Sequence, residues 1–427
     1  MKPLHYLLCI LSLVLGLHAA DPDFNKFPSC ALDAGNQLFH SWGIPNCDLT
    51  NSTCFCAKSS YRDDLLASVT LNCTTKEEFI TKRLSAQVCG IEQRKGPAEI
   101  EGSTLAPFIL GAIFFIIRIG AKSLGLAGGW GWDDYTIIVS FVLGVAIYVL
   151  NIYMIRFGFG RDIWDIPFDT ITKFYKYFEA LAVMYKIQIS LAKISVCLFL
   201  LRIFQSRSFR YSAYILIGLN ASIGITWALV DSLRCIPPHL DWTGWMNEEE
   251  GQCINFIDSI LVNCLVNIVV DTALIVMPVY EVSKLQLPLR KKLTVGLMFV
   301  MGSVLTIIAI IRVVVFWNNR WGENQTYGLY PLIHWSVIEC QISVMCACLP
   351  ASRAFISHFF PGILGNSTRR TYGTGPSNWY NKEPSQGNSK IAKSVSYSVN
   401  YGPRSQQDDT TSMVELMDVE GAARYAR

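Results

Sequence analysis

Charge is what this sequence has least of. Asp, Glu, Lys and Arg make up 16% of its 427 residues, while 51% are hydrophobic and the mean hydropathy is +0.32. A soluble domain carries about a quarter charged residues, so this composition excludes an ordinary water-soluble fold and implies a polytopic membrane protein. The net charge is only +3, and no basic stripe runs along any segment, which argues against nucleic acid as a partner. Catalytic signatures are missing too. There is no P-loop, no His-Glu-x-x-His and no nucleophile elbow, so an enzyme is not expected.

Cysteine is present but unevenly spread. Setting aside Cys9, six of the fourteen fall in one short stretch: Cys30, Cys47, Cys54, Cys56, Cys73 and Cys89. That density implies an oxidised, extracellular disulfide module, placed at residues 21–96. Within it, short helical patterns run over 64–69 and 77–88, with Pro, Gly and Asn punctuating the rest. Glycosylation sequons begin at Asn51 and Asn72 in the same stretch, and a further one at Asn324. Residues 1–20 read as a cleaved signal peptide, with Lys2, an apolar run too short for a span, then Ala19 and Ala20. Cys235 and Cys253 are expected to bridge within one outer loop, whereas Cys197, Cys264, Cys340, Cys346 and Cys348 read as packed thiols rather than metal ligands.

After a polar linker at 97–104, seven apolar stretches follow, at about 105–121, 135–155, 178–201, 211–230, 260–280, 293–317 and 330–350. The fold class is therefore an all-α membrane protein, a seven-helix transmembrane bundle over 105–356 topped by a small disulfide-rich module. With that module outside, the C-terminus is cytoplasmic and the chain is a multi-pass plasma-membrane protein in contact with lipid. Basic residues favour this orientation modestly. Residues 351–364 form a candidate amphipathic helix along the inner face, and 357–427 read as a disordered cytoplasmic tail.

A few charges stand inside the apolar stretches. Asp271 is the one full charge in 260–280, and Asn263 and Asn267 share its helical face. A carboxylate near mid-bilayer costs about 2.5–3.5 kcal/mol on insertion scales, so it needs a partner or a cavity. Counting depth at 1.5 Å per residue pairs Asp271 with Lys193, sets Lys186 level with Glu339, and brings Arg312 nearer Glu179 and Asp231. Lys186, Lys193, Asp271, Arg312 and Glu339 are thus the candidate ligand-contact or switch residues. Arg118 and Glu179 lie near span ends and are expected to snorkel. Asp133 or Asp134 caps the second span, Gly158 and Gly160 make a turn, and Trp130, Trp132 and Trp164 anchor at the interface.

Several strings combine into a family pattern. The Pro-Ser-Cys30-Ala start, the Cys54-Phe-Cys56 pair and the long final spacing resemble the fungal CFEM domain, with the family's second and sixth cysteines missing near Ala34 and Ser68 or Val69. Members that bind haem use an aspartate where this chain has Asn51, so the resemblance implies no haem and no other cofactor. Further strings are Gly131-Trp-Asp-Asp-Tyr135, Gly158-Phe-Gly160 before Trp164-Asp165, Asn267 with Asp271, Pro278, and Trp335-Ser through Glu339. Together they are similar to the fungal rhodopsin-like seven-helix domain of CFEM-containing, G-protein-coupled-receptor-like proteins, among them appressorium-type surface sensors. Asp162 departs from the histidine common there.

The resemblance implies a cell-surface receptor for an extracellular or surface cue, with a heterotrimeric G protein as its implied partner. Arg202, Arg207, Lys284, Arg290, Lys291 and Lys292 would make the cytoplasmic contact. No Asp/Glu-Arg-Tyr string closes the third span, so that coupling is inherited from the resemblance. A carrier that uses the buried Lys/Asp/Glu pairs is the alternative, though no internal repeat is evident. A retinal photoreceptor is disfavoured, because the seventh span has no lysine.

Overall fold

A computed structural model of the chain describes residues 26–44, 47–126, 128–284, 289–319 and 324–359. The expected signal peptide and nearly all of the expected tail lie outside these residues. The small module has four helices: α1 (Ser29–Ser41), α2 (Ser52–Phe55), α3 (Ser59–Asn72) and α4 (Thr75–Val88). Three disulfides tie them together, Cys30–Cys73, Cys47–Cys54 and Cys56–Cys89. Their shared core is Ala31, Ala34, Phe39, Leu49, Phe55, Leu65 and Val69. Ala34 and Val69, near which the CFEM resemblance implies its two missing cysteines, are both buried in this cluster. Helix α1 escaped the sequence reading: its buried residues Ala31, Ala34, Gly35 and Phe39 repeat at helical spacing, but three of the four are small. Helix α4 begins with a capping box, the Thr74 hydroxyl accepting from Glu77 N–H and the Thr74 N–H donating to the Glu77 carboxylate at 3.0 Å.

Seven long apolar helices follow, α5 (Gly102–Ser123), α6 (Trp132–Arg156), α7 (Phe168–Ile203), α8 (Arg207–Ser232), then α10 (Phe256–Lys284), α11 (Leu289–Asn319) and α13 (Tyr330–Phe359). Every expected span is present, and most run a turn or so further than their apolar cores. The third span, α7, is the exception in scale. Its 36 residues reach about 54 Å, well beyond the hydrocarbon thickness, so its first turns project toward the small module; the outer end of the bundle is the end that carries the module. Between α8 and α10 lies a disulfide-tied outer hairpin. Strands β1 (Cys235–Ile236) and β2 (Gln252–Cys253) pair antiparallel, with a short helix α9 (Leu240–Thr243) between them. Another short helix, α12 (Gln325–Gly328), leads into α13.

Helix α13 corrects one expectation. The chain does not turn onto the inner face after Pro350, because the helix continues unbroken to Phe359. A proline removes one backbone donor, yet Ala351 and Ser352 beyond it stay buried against the bundle and hold the helix on course.

The small module is docked rather than tethered. Phe79, Ile80 and Leu84 of α4 bury against Ile163, Ile166, Phe168 and Ile171 of the outer turn and α7. Trp245 of the hairpin stacks on Phe79 at 6.1 Å and donates to Thr172 at 3.2 Å. Lys82 lies over the Trp164 ring at 5.6 Å, so this tryptophan packs on the module instead of anchoring in the interface.

Candidate functional site

The charged residues of the bundle fall into layers. The innermost layer is built where the first and second spans meet. Arg118 is fully buried and donates to Asp133 at 2.6 Å, to Asp134 at 2.8 and 3.0 Å, and to the Ala347 carbonyl at 2.6 Å. Lys122 pairs with Asp134 at 2.9 Å, and the Ser195 hydroxyl donates to the Asp133 carbonyl at 2.7 Å. Four spans meet at this clamp. Arg118 therefore does not snorkel: two acids at the start of the second span reach it before water does. Asp134 also caps its helix, accepting from the Gly131 N–H at 3.0 Å.

The middle layer joins the third, fourth, fifth, sixth and seventh spans. Lys193 meets Asp271 at 2.8 Å and Asn267 at 2.9 Å, as the depth count predicts. Asn267 in turn donates to the Asn263 carbonyl at 2.9 Å, so the polar face of the fifth span is one connected row. The other pairings are corrected. Arg312 pairs with Glu339 at 2.6 Å, and the buried Tyr185 hydroxyl donates to the same carboxylate at 3.0 Å while accepting from Arg312. Lys186 pairs with Asp231 at 3.2 Å and lies over Trp227. The count misassigned them because it started each span at its apolar edge. The third and sixth helices begin and end beyond those edges, which lowers Arg312 to the level of Glu339. Gln188 escaped hydropathy reasoning because it is uncharged, yet it donates to Ser140, to Ser343 and to the Cys340 carbonyl.

Two small cavities flank this layer. The outer, of about 50 Å³, is lined by Tyr185, Lys186, Asp231, Asn263 and Arg312. The inner, of about 70 Å³, is lined by Lys193, Asp271 and Glu339 on one side and mainly by apolar residues of the third, fifth and sixth spans on the other. Either has room for a few water molecules. The Arg312–Glu339 pair stands between them.

At the outer surface, a larger cleft of about 630 Å³ separates the module from the outer turns. Arg94 lies 3.6 Å from Asp162 and 4.4 Å above the Tyr327 ring, and Gln93 donates to Asp165 at 3.1 Å. Burial, with the nearby Asp162 charge second, pushes the Asp165 carboxyl above the usual carboxylate range. The linker acts as a strap. Gly160 has φ +87°, and a Cβ there would lie 2.5 Å from Pro97, so only glycine fits. Glu101 then accepts from Tyr330 at 2.5 Å and meets His334 at 2.9 Å, pinning the strap to the seventh span.

The remaining sequence candidates divide clearly. Asn51 and Asn72 are exposed, Asn51 capping α2 through Thr53. Asn324 is engaged instead: its amide nitrogen donates to Asp162 at 2.5 Å and its oxygen accepts from Ile163 N–H at 3.0 Å, so it holds the outer turn. Arg202 donates to the Gly129 carbonyl at 2.9 Å, while Arg207 is exposed. The side chains of Lys284, Arg290, Lys291 and Lys292 lie outside the described residues.

Comparison with known proteins agrees with this layout. Residues 117–358 match the family described as Fungal rhodopsin domain, and residues 23–90 match the CFEM domain. A SAT4 family membrane protein of Emericella nidulans is 27% identical over 67% of this chain and 69% of its own length. Polyenoic acids biosynthesis gene cluster protein Ba17b of Metarhizium anisopliae is 28% identical over 47% of this chain and 57% of its own. Receptor GIN3 of Arthrobotrys oligospora is 25% identical over 63% of this chain and 65% of its own. No solved structure matches.

Proposed function

The chain belongs to the fungal rhodopsin domain family, and on that premise we propose that it is a plasma-membrane receptor, non-enzymatic, that reads an extracellular or surface cue through its CFEM domain. The N-terminal domain lies outside and the C-terminus inside, and the output is contact with a cytoplasmic partner, a heterotrimeric G protein by the family resemblance. One observation carries the reading. The docked module is strapped to the seventh span at Glu101, and that same helix holds His334 and, five residues on, Glu339 of the buried ion pair. A cue that favoured the undocked module would release the strap from that helix and so bias the bundle between two arrangements. The name of the GIN3 relative supports the receptor reading. No cofactor is assigned, because Asn51 stands where haem-binding CFEM domains have aspartate and its side chain is committed to capping α2.

The test exposes cells bearing the epitope-tagged chain to candidate surface cues and measures G-protein dissociation. The expected response needs residues 26–90 and is reduced in Glu101→Ala at unchanged surface level. A response identical without the module would overturn the reading. So would cue-independent uptake or current in vesicles, which belongs to a carrier.

A further inference from the structure

We propose that the inner cavity around Asp271 binds the hydroxyl head of a neutral membrane lipid whose body lies past Phe299 toward the bilayer. The site stands whether or not the chain signals.

The head end is defined by a hydrogen-bonding imbalance. Lys193 binds Asp271 Oδ1 at 2.8 Å and Asn267 Oδ1 at 2.9 Å. The other oxygen of the carboxylate, Oδ2, is buried and meets no donor among the described residues, although Asp271 is only 4% exposed. A buried carboxylate oxygen left without a donor is costly, so the site favours a ligand that donates. Glu339 lines the same cavity and is already matched by Arg312.

Charge then narrows the head group. An ammonium would sit beside Lys193 Nζ, which already holds the neighbouring oxygen of the same carboxylate. A carboxylate head would bring a third acid to Asp271 and Glu339, and among the described residues lining the cavity the one cation, Lys193, is already committed. A neutral hydroxyl meets neither objection, because it donates one proton and carries no charge.

The body end is apolar. Val196, Leu200, Leu274, Ile275, Pro278 and Leu305 line most of that end, with Ser343 and Cys346 on the seventh span. Phe299 stands at its rim on the sixth span and is 46% exposed, while Ile275 and Leu305 are only partly buried. These residues lie within the bilayer-crossing stretches, so the surface at that rim faces lipid. An apolar wall with one unmatched acceptor at its polar end suits an amphipathic molecule with its head inward.

The experiment uses the full chain in phosphatidylcholine vesicles with four diazirine probes. These are a sterol with a free hydroxyl, a sixteen-carbon alcohol, and the methyl ether of each. Saturable crosslinking to peptides containing Leu274–Ile275 or Phe299–Leu305 is expected from at least one alcohol, and the one that labels identifies a ring or a chain body. The matching ether should label at least about tenfold less, because it cannot donate to Asp271. Leu305→Trp should abolish the labelling by filling the cavity while the protein's unfolding temperature holds. If that variant does not fold, Leu274→Phe serves in its place. Equal labelling by alcohol and ether overturns the proposal, as does labelling indifferent to the filled cavity. Absence of saturable labelling also overturns it, since water alone then satisfies Asp271.

Discussion

The two charged layers of the bundle are built to different standards. At the inner end, no buried side-chain nitrogen or oxygen of Arg118, Lys122, Asp133 or Asp134 lacks a partner. In the middle layer, Asp271 Oδ2 and Arg312 Nε are buried without one, and a cavity lies on each side. A fully satisfied buried network has one arrangement and resists change. A layer with spare hydrogen-bonding capacity beside water-sized space can exchange partners at lower cost. The difference suits the inner clamp to holding four spans together and the middle layer to accommodating change.

The sharpest way to break this comparison is to remove the centre of the clamp. Arg118→Met leaves two carboxylates buried near one lysine, and losing one member of a buried pair costs about 3–5 kcal/mol. The expected outcome is loss of folded protein at the surface, read by surface labelling and thermal unfolding in detergent. Near-normal stability would mean the clamp is not what joins the spans.

A smaller effect is expected in the middle layer. Lys193→Met and Asp271→Leu should each destabilise, but by less, because the adjoining cavity lets water reach the group left behind. Their combination should cost less than the sum of the two, with a coupling of about 1–3 kcal/mol in a double-mutant cycle. Additive losses would remove the pair from any switching role.

The docked module gives the next prediction in size. Trp245→Ala removes the ring stacked on Phe79 and the bond to Thr172, and should weaken docking by about 1–2 kcal/mol. Faster proteolysis of the strap at 91–101 would report it. Docking should also depend on pH through Asp165. Its docked carboxyl titrates above the ordinary value of 3.8, so its contribution is fully present below that value and is lost as pH rises through the higher, docked one. Asp162 faces it as an acid, with Arg83 and Arg161 as the nearby cations. Proteolysis of the strap should therefore slow as pH falls through the acid range, and Asp165→Asn should flatten that dependence.

Much of this was legible in the chain and some was not, for identifiable reasons. Seven spans, the cysteine module and the Lys193–Asp271 pair follow from hydropathy, cysteine density and helical rise. The Arg312–Glu339 pair does not follow, because depth counted from an apolar edge ignores how far a helix runs past it. Arg118 misled for a related reason. Position near a span end suggests access to water, but Asp133 and Asp134 lie across an intervening turn that no periodicity can fold back. The modest bias of basic residues toward one side shrinks as well, since Arg118 and Lys122 are neutralised within the bundle and do not act as free loop charges. Docking of the module was invisible, since Phe79, Ile80 and Leu84 look like the core of an independent domain.

The smallest effect separates two arginines that sequence alone treats alike. Arg202 is tied to the loop between the first two spans: it donates to the Gly129 carbonyl at 2.9 Å, and its guanidinium lies 4.0 Å from Asp133 at the edge of the clamp. The backbone is shaped for this approach. Gly128 has φ +77°, and a Cβ there would come within 3.0 Å of the same guanidinium. Arg207, at the start of the fourth span, is exposed. Because the Arg202 side chain is 41% exposed, its ion pair is screened and Arg202→Ala should cost at most about 1 kcal/mol. Arg207→Ala should cost nothing measurable in unfolding. If the inner clamp is rigid and Arg202 merely decorates it, both variants will signal alike. If the tie from Arg202 to Gly129 and Asp133 instead restrains the bundle, Arg202→Ala alone will raise cue-independent G-protein dissociation, because it frees the loop between the first two spans without unfolding the bundle.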